Sequence, residues 1–242
     1  MMPEPIVFSK DEFAGIFISV CGFDGAGKTT LINRLVRELA MLGQDVVLTK
    51  QPTDEIRRSE LFRAFVHSAN GAEQFEYRSL SLLTVSDRVQ HSMRVILPQL
   101  RLGKVVISDR YFFSAIANLR ARGYRHDRWI YEIASYLPAP DLPCFLEPGF
   151  DLAVERVMGR NAEKNRFFDF DFNRTLYSEF EYVRAMTSDA VRLDSSQPVE
   201  DTYAVVRRHY NRVATAKNAL PLPSQEVPCD ETLCVDRGPS QG

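Results

Sequence analysis

The chain has 242 residues, 45% hydrophobic and 26% charged, and its 30 lysines and arginines against 32 aspartates and glutamates give a formal net charge of −2. That length can bury a sizeable core without metal or disulfide staples, and the near-even charge balance argues against a protein that holds nucleic acid through bulk positive charge. The four cysteines, at 21, 144, 229 and 234, have no zinc-site spacing, and the longest amino-terminal apolar stretch, 13–23, is far short of a membrane span and follows acidic residues, so a cytoplasmic protein with no membrane or nucleic-acid partner is expected.

Short apolar runs then alternate with longer helical patterns. Residues 15–21 (GIFISVC) predict a buried strand, and 28–42 a helix with Leu31, Leu35, Leu39 and Leu42 at helical spacing and Gly43 as its stop. A second strand is expected at 45–49. Residues 74–102 predict a long helix interrupted at Pro98, with Leu82, Val85, Val89, Met93 and Ile96 as its core stripe. A third strand follows at 104–108, two helices near 112–121 and 127–137, and a fourth strand at 142–146. Helices near 150–159 and 174–187, a short strand at 191–193 and a last helix at 198–213 complete the pattern.

Strands separated by helices predict an α/β fold, a five-stranded parallel sheet flanked by helices, with ligands at the carboxyl ends of the strands. The organisation expected is an amino-terminal extension (1–14), one domain (15–213) with a short polar and aromatic lid at about 160–173, and a disordered tail (214–242), where apolar periodicity stops.

The sharpest motif is Gly22-Phe23-Asp24-Gly25-Ala26-Gly27-Lys28-Thr29, which fits G-x-x-x-x-G-K-[ST] between a strand and a helix. Glycines let the backbone turn so that successive N–H groups face phosphate oxygens, the lysine reaches the β- and γ-phosphates, and the threonine hydroxyl serves Mg²⁺. A chance match somewhere in such a chain is roughly 1% on ordinary residue usage, so a phosphate loop of the P-loop NTPase type is expected. It would bind ATP through Gly22, Gly25, Ala26, Gly27, Lys28, Thr29 and Thr30. The Asn-Lys-x-Asp motif by which GTPases read their base is absent.

Four further landmarks come in a fixed order: Thr49-Lys50-Gln51-Pro52-Thr53 after the second strand; the helical run 82–91, LLTVSDRVQH; Asp109-Arg110-Tyr111, with Ser114, after the third strand; and Pro140-Asp141-Leu142 opening the fourth. With the phosphate loop, they resemble the thymidylate kinase family of nucleoside monophosphate kinases over roughly 15–213. The resemblance implies transfer of the γ-phosphoryl group of ATP, with Mg²⁺, to a small nucleotide, dTMP above others. It assigns the acceptor phosphate to Arg110, the base edge to Arg88 and the sugar 3′-hydroxyl to Asp24. It adds Lys50, Pro52, Thr84 and Tyr111 to the acceptor site. Asp109 joins Thr29 as a metal-side residue, with an N-cap as the bland alternative.

Arg160 and Arg166 fall in the lid. The phosphate loop carries no arginine, so these two are expected to meet the charge that develops during transfer. The sequence also departs from the family's pattern. Lys50 stands where an arginine is usual, Gln51 where a glutamate is usual, and Thr84 where a phenylalanine stacks on the base. Tyr77, Phe75, Tyr111, Phe112 and Phe113 are the substitute aromatics in reach. The resemblance implies a possible homodimer, since family members commonly pair through their long helices, and the 82–96 stripe suits that or core packing. A kinase for another deoxynucleotide or a deoxynucleoside, and a non-catalytic nucleotide-binding module, remain open as alternatives.

Overall fold

The computed structural model describes residues 5–9, 11–67, 76–159 and 168–222. Its centre is the expected sheet. Strands β1 (Ile16–Gly22), β2 (Val46–Lys50), β3 (Val105–Asp109), β4 (Leu142–Leu146) and β5 (Val191–Leu193) lie in the order β2-β3-β1-β4-β5, and every pair is parallel. Because side chains alternate along a strand, each inner strand feeds two cores. Ile16, Ile18 and Val20 of β1 belong to one, and Phe17 and Cys21 to the other.

The first core is closed by helix α1 (Lys28–Met41) through Leu31, Ile32, Leu35 and Leu39 and by helix α10 (Val199–Ala216) through Tyr203, Val206 and Tyr210. Against the other face lie α4 (Tyr77–His91), α5 (Leu97–Arg101), α6 (Phe112–Ala121), α7 (Trp129–Ala134) and α9 (Phe170–Ala185). Helix α8 (Phe150–Met158) follows β4. Two short helices, α2 (Asp54–Arg58) and α3 (Glu60–His67), follow β2 where no element was expected.

Four boundaries differ from the sequence expectation. Pro98 does not break the long helix. Residues Ser92–Ile96 widen into a π-helical turn between α4 and α5, which absorbs the mismatch that a residue without an N–H imposes. Helix α9 starts at Phe170, inside the expected lid, because the Asp169 carboxylate accepts from the Phe172 N–H at 3.0 Å and caps it. Helix α10 runs to Ala216, and the chain after it stays packed to Leu222, 2% exposed, so 214–222 are part of the folded body. The extension is folded on as well: Ile6 is buried, its N–H donates to Met186 O, and Phe8 packs on Tyr111 and Phe113.

Candidate active site

The carboxyl ends of β1, β2 and β3 deliver Gly22, Lys50 and Asp109 to one edge of the sheet. Past Gly22 the chain turns through a tight loop into α1. Gly25 has φ 82°, and a Cβ there would stand 2.1 Å from the Ala153 carbonyl oxygen, so no other residue fits the turn. Ala26 is wholly buried and Gly27, at φ 91°, is the residue before the helix. No acidic side chain occupies the first turn of α1, which leaves its amino terminus suited to an anion.

Lys28 is buried at 8% exposure, and its Nζ donates to Gly22 O (3.2 Å) and Phe23 O (2.7 Å). Burial, with a contribution from nearby Arg110, pushes its ammonium down to about 7. Thr29 and Asp109 border one open recess of about 230 Å³ with Thr49 and Lys50. The Asp109 Oδ1 is buried without a hydrogen-bond partner, while Oδ2 is 3.8 Å from the exposed Lys50 ammonium. Asp109 is not an N-cap, since α6 begins three residues on with Tyr111 as its cap residue.

Arg110 crosses from β3 to the phosphate loop. Its φ of 68° is left-handed, a conformation that costs a residue with a Cβ roughly 1–2 kcal/mol. Its N–H donates to Val20 O (2.9 Å), Nη1 donates to Gly22 O (3.1 Å), and Nη2 pairs with the Asp24 carboxylate. Strain of this kind persists where surrounding bonds over-determine it, often at working sites.

Helix α4 forms the opposite wall. Arg88 is 4% exposed; Nη1 donates to Thr84 O (2.8 Å) and Nε has no partner. Burial lowers its guanidinium to about 10, and the charge of Asp87 partly offsets that. The helix is tied to the segment after β2. Asp87 accepts from Thr53 N (2.8 Å) and Thr53 Oγ1 (2.5 Å), Gln51 Nε2 donates to Ser92 Oγ (3.2 Å), and Thr49 meets His91. Burial holds His91 below the usual imidazole range. The Gln51–Pro52 bond is cis, and Pro52 is buried under Arg57, whose Nε donates to Pro52 O at 2.8 Å.

Arg88 lies close enough to Arg57 and Arg110 to feel their charges, and Lys28, Asp24, Asp109, Arg110 and Lys50 gather at the carboxyl edge of the sheet. Tyr111 is not among them. It is fully buried among Phe8, Phe17 and Phe113, and its hydroxyl donates to Pro138 O (2.9 Å), so the first aromatic after Arg110 is core. Phe112 and Phe113 are equally buried. Of the substitute aromatics, Tyr77 alone among the described residues is half-buried; Phe75 lies outside them, as do Arg160 and Arg166.

A family profile described as Thymidylate kinase matches residues 20–206, from β1 into α10. The chain belongs to the thymidylate kinase family. Its relatives include the "Probable thymidylate kinase" of Pyrococcus abyssi (strain GE5 / Orsay), 38% identical over 159 residues, which cover 65% of this chain and 75% of that protein. The "Thymidylate kinase" of Oceanobacillus iheyensis is 31% identical over 210 residues, 82% of this chain and 92% of that one. That of Xanthomonas oryzae pv. oryzae is 30% identical over 195 residues, covering 79% and 83%. Membership makes this a nucleoside monophosphate kinase with ATP as phosphoryl donor.

Sequence reading missed Arg57. This half-buried arginine of α2 lies close enough to Arg110, Asp109 and Asp24 to feel their charges. Its helix is one turn long and shows no apolar periodicity, so nothing marked the arginine as cleft-facing. The carboxylates beside it, Asp54 and Glu55, are exposed.

Proposed function

We propose that the protein transfers the γ-phosphoryl group of MgATP to dTMP, releasing ADP and dTDP. One observation carries this reading. The carbonyl oxygen of Gly22 receives both the Lys28 ammonium at 3.2 Å and the Arg110 guanidinium at 3.1 Å. Lysine of the phosphate loop serves the donor's β- and γ-phosphates, and arginine binds a phosphate bidentately. The cations that would hold the donor and acceptor phosphates therefore stand side by side, both anchored on one backbone oxygen.

The attacking group is a phosphate oxygen already ionised at neutral pH, so no general base is required. Arg110 would hold the acceptor phosphate, with Arg57 and Lys50 as supporting charge. Asp24, beside Arg110, would take the sugar 3′-hydroxyl, and Thr84 and Arg88 would face the base over Pro52. Arg160 and Arg166 would meet charge developing on the transferred group. The orphan Oδ1 of Asp109 and the neighbouring Thr29 hydroxyl are oxygen donors suited to Mg²⁺ or its waters. When bound, that ion neutralises charge on the β- and γ-phosphates. Catalysis here is positioning plus charge stabilisation.

A deoxynucleoside kinase would need a carboxylate base after β2. The exposure of Asp54 and Glu55 and the pairing of Asp24 with Arg110 favour the monophosphate acceptor. The enzyme is further read as a cytoplasmic homodimer. Buried, unpaired Cys21 and Cys144 suit a reducing compartment. Among the described residues no helix is long and apolar enough to cross a membrane. For the dimer, the support is an apolar groove of about 520 Å³ along α4, lined by Leu82, Val85, Val89, Met93, Ile133 and Tyr136.

The test is ADP release with MgATP and a panel of nucleoside monophosphates, with Lys28→Ala as the blank. Turnover highest with dTMP is expected. Tight ATP binding with no turnover of any monophosphate would overturn the reading.

A further inference from the structure

Family resemblance puts Lys50 with the acceptor, but the strand that carries it points the other way. Side chains alternate across a strand. Val47 and Thr49 of β2 face α4: Val47 packs on the core on that side, and Thr49 meets His91. Val46 packs on the opposite core, the one closed by α1, and Leu48 and Lys50 follow it at i+2 and i+4. Arg88 stands on α4, so Lys50 leaves the sheet on the face opposite to it.

On that face Lys50 meets the metal-side residues. Strands β2 and β3 pair with Lys50 opposite Asp109, which follows Val105 and Ile107 toward α1. Lys50 Nζ is 3.8 Å from Asp109 Oδ2, and it is the only cation in an ion pair with that carboxylate among the described residues. Lys50, Asp109 and Thr29 border the same recess of about 230 Å³, with Ile32 and Leu48 beside them. Asp109 Oδ1 is buried there without a partner. About half of the Lys50 side chain is exposed, so its charge keeps its hydration and the pairing is cheap to break. A fixed positive charge at this place has a definite effect. It repels a bare divalent cation, and it attracts one that arrives inside a polyphosphate, whose net charge is negative.

We propose that Lys50 is a positioning residue of the metal side: its ammonium holds Asp109 in the empty cleft, rejects bare divalent metal, and admits the metal together with the nucleotide. This rests on the phosphoryl-transfer reading above, and it narrows the supporting charge given there to Lys50 to the donor's side of the sheet.

The test titrates Mn²⁺ into the full, nucleotide-free chain and counts the free ion by electron paramagnetic resonance, which needs no turnover. Lys50→Met keeps the stem and removes the charge. It should bind Mn²⁺ about tenfold more tightly than the parent, the size expected for losing one repulsive charge a few ångströms away in hydrated surroundings. Lys50→Arg keeps the charge and should titrate like the parent, and the gain should vanish in the double variant Lys50→Met/Asp109→Asn. By calorimetry the dTMP Kd should stay within about twofold of the parent's, since the charge lost stands on the other face, and the MgADP Kd should not fall. If the methionine variant fails to fold, Lys50→Gln carries the same test. Unchanged Mn²⁺ affinity overturns the proposal, and so does a gain that survives Asp109→Asn. A dTMP Kd raised about tenfold would return Lys50 to the acceptor phosphate and overturn it as well. A parent chain that binds nucleotides but turns over no monophosphate overturns the kinase reading alone, because the Mn²⁺ titration still decides the role of Lys50.

Discussion

Lys28 is costly to the empty protein. Its amine titrates at 10.5 when unperturbed and near 7 in its buried place under the phosphate loop. Between those values the folded, empty protein binds fewer protons than the unfolded chain, so stability rises with pH across that window. This group's full contribution is present above 10.5 and is lost as pH falls toward 7. A polyphosphate favours the charged amine, so binding must return the proton. Calorimetric titration of ATP at pH 8.5, in two buffers of different ionisation enthalpy, should report uptake of about one proton, absent in Lys28→Ala. Equal enthalpies in the two buffers would mean that the amine is already charged before ATP arrives. The loop that sets up this burial was legible in the sequence, because glycine and lysine spacing is itself the mechanism. The tilt of Arg110 was not: a left-handed arginine depends on Val20 and Gly22 carbonyls that only the folded sheet brings near.

Helix α4 shows how far periodicity reaches and where it stops. Of the expected stripe, Val85 and Ile96 are buried, but Leu82 and Met93 are 51% and 37% exposed. The inward face instead carries Ser81, Arg88 and Ser92, all buried. Apolar spacing could not show this. The face toward the cleft is polar for chemical reasons, and the π-helical turn at 92–96 shifts the phase for the residues after it. Leu82 and Met93, which periodicity read with the core, stand instead on an outward apolar ridge. If that ridge joins two copies, Met93→Glu places a charge at the centre of the interface, where desolvation is costly. Sedimentation should then show a dimer for the parent chain and a monomer for the variant, with similar melting curves at low concentration. A parent chain that sediments as a monomer at tens of micromolar would remove the dimer from the account.

At the scale of the whole molecule, the two ends of the sheet do different work. The carboxyl ends of the strands hold the cleft, whereas the amino ends are tied to the segment after α10. Lys217 Nζ donates to Gly15 O (2.8 Å) and to Asp141 Oδ2 (2.8 Å), and the same carboxylate oxygen accepts from Phe17 N (2.8 Å). Beyond it, Asn211 accepts from Leu222 N (2.7 Å) and donates to Leu222 O (2.9 Å), which seats that leucine in the core under α1 and α10. The change in composition at residue 214 hid this, because one lysine, one leucine and a side-chain clamp leave no periodic trace. The placement makes stability and activity separable. A chain ended after Val213 loses a buried leucine, worth about 1.5–3 kcal/mol, together with the Lys217 contacts. It should melt on the order of 5 °C lower than one ended after Leu222. Below both transitions, the KM values for ATP and dTMP should agree between the two chains, because every lost contact lies at the sheet end remote from Gly22 and Asp109. Equal melting temperatures would show that residues 214–222 add nothing to the fold. Unequal KM values would mean that the two ends of the sheet are coupled.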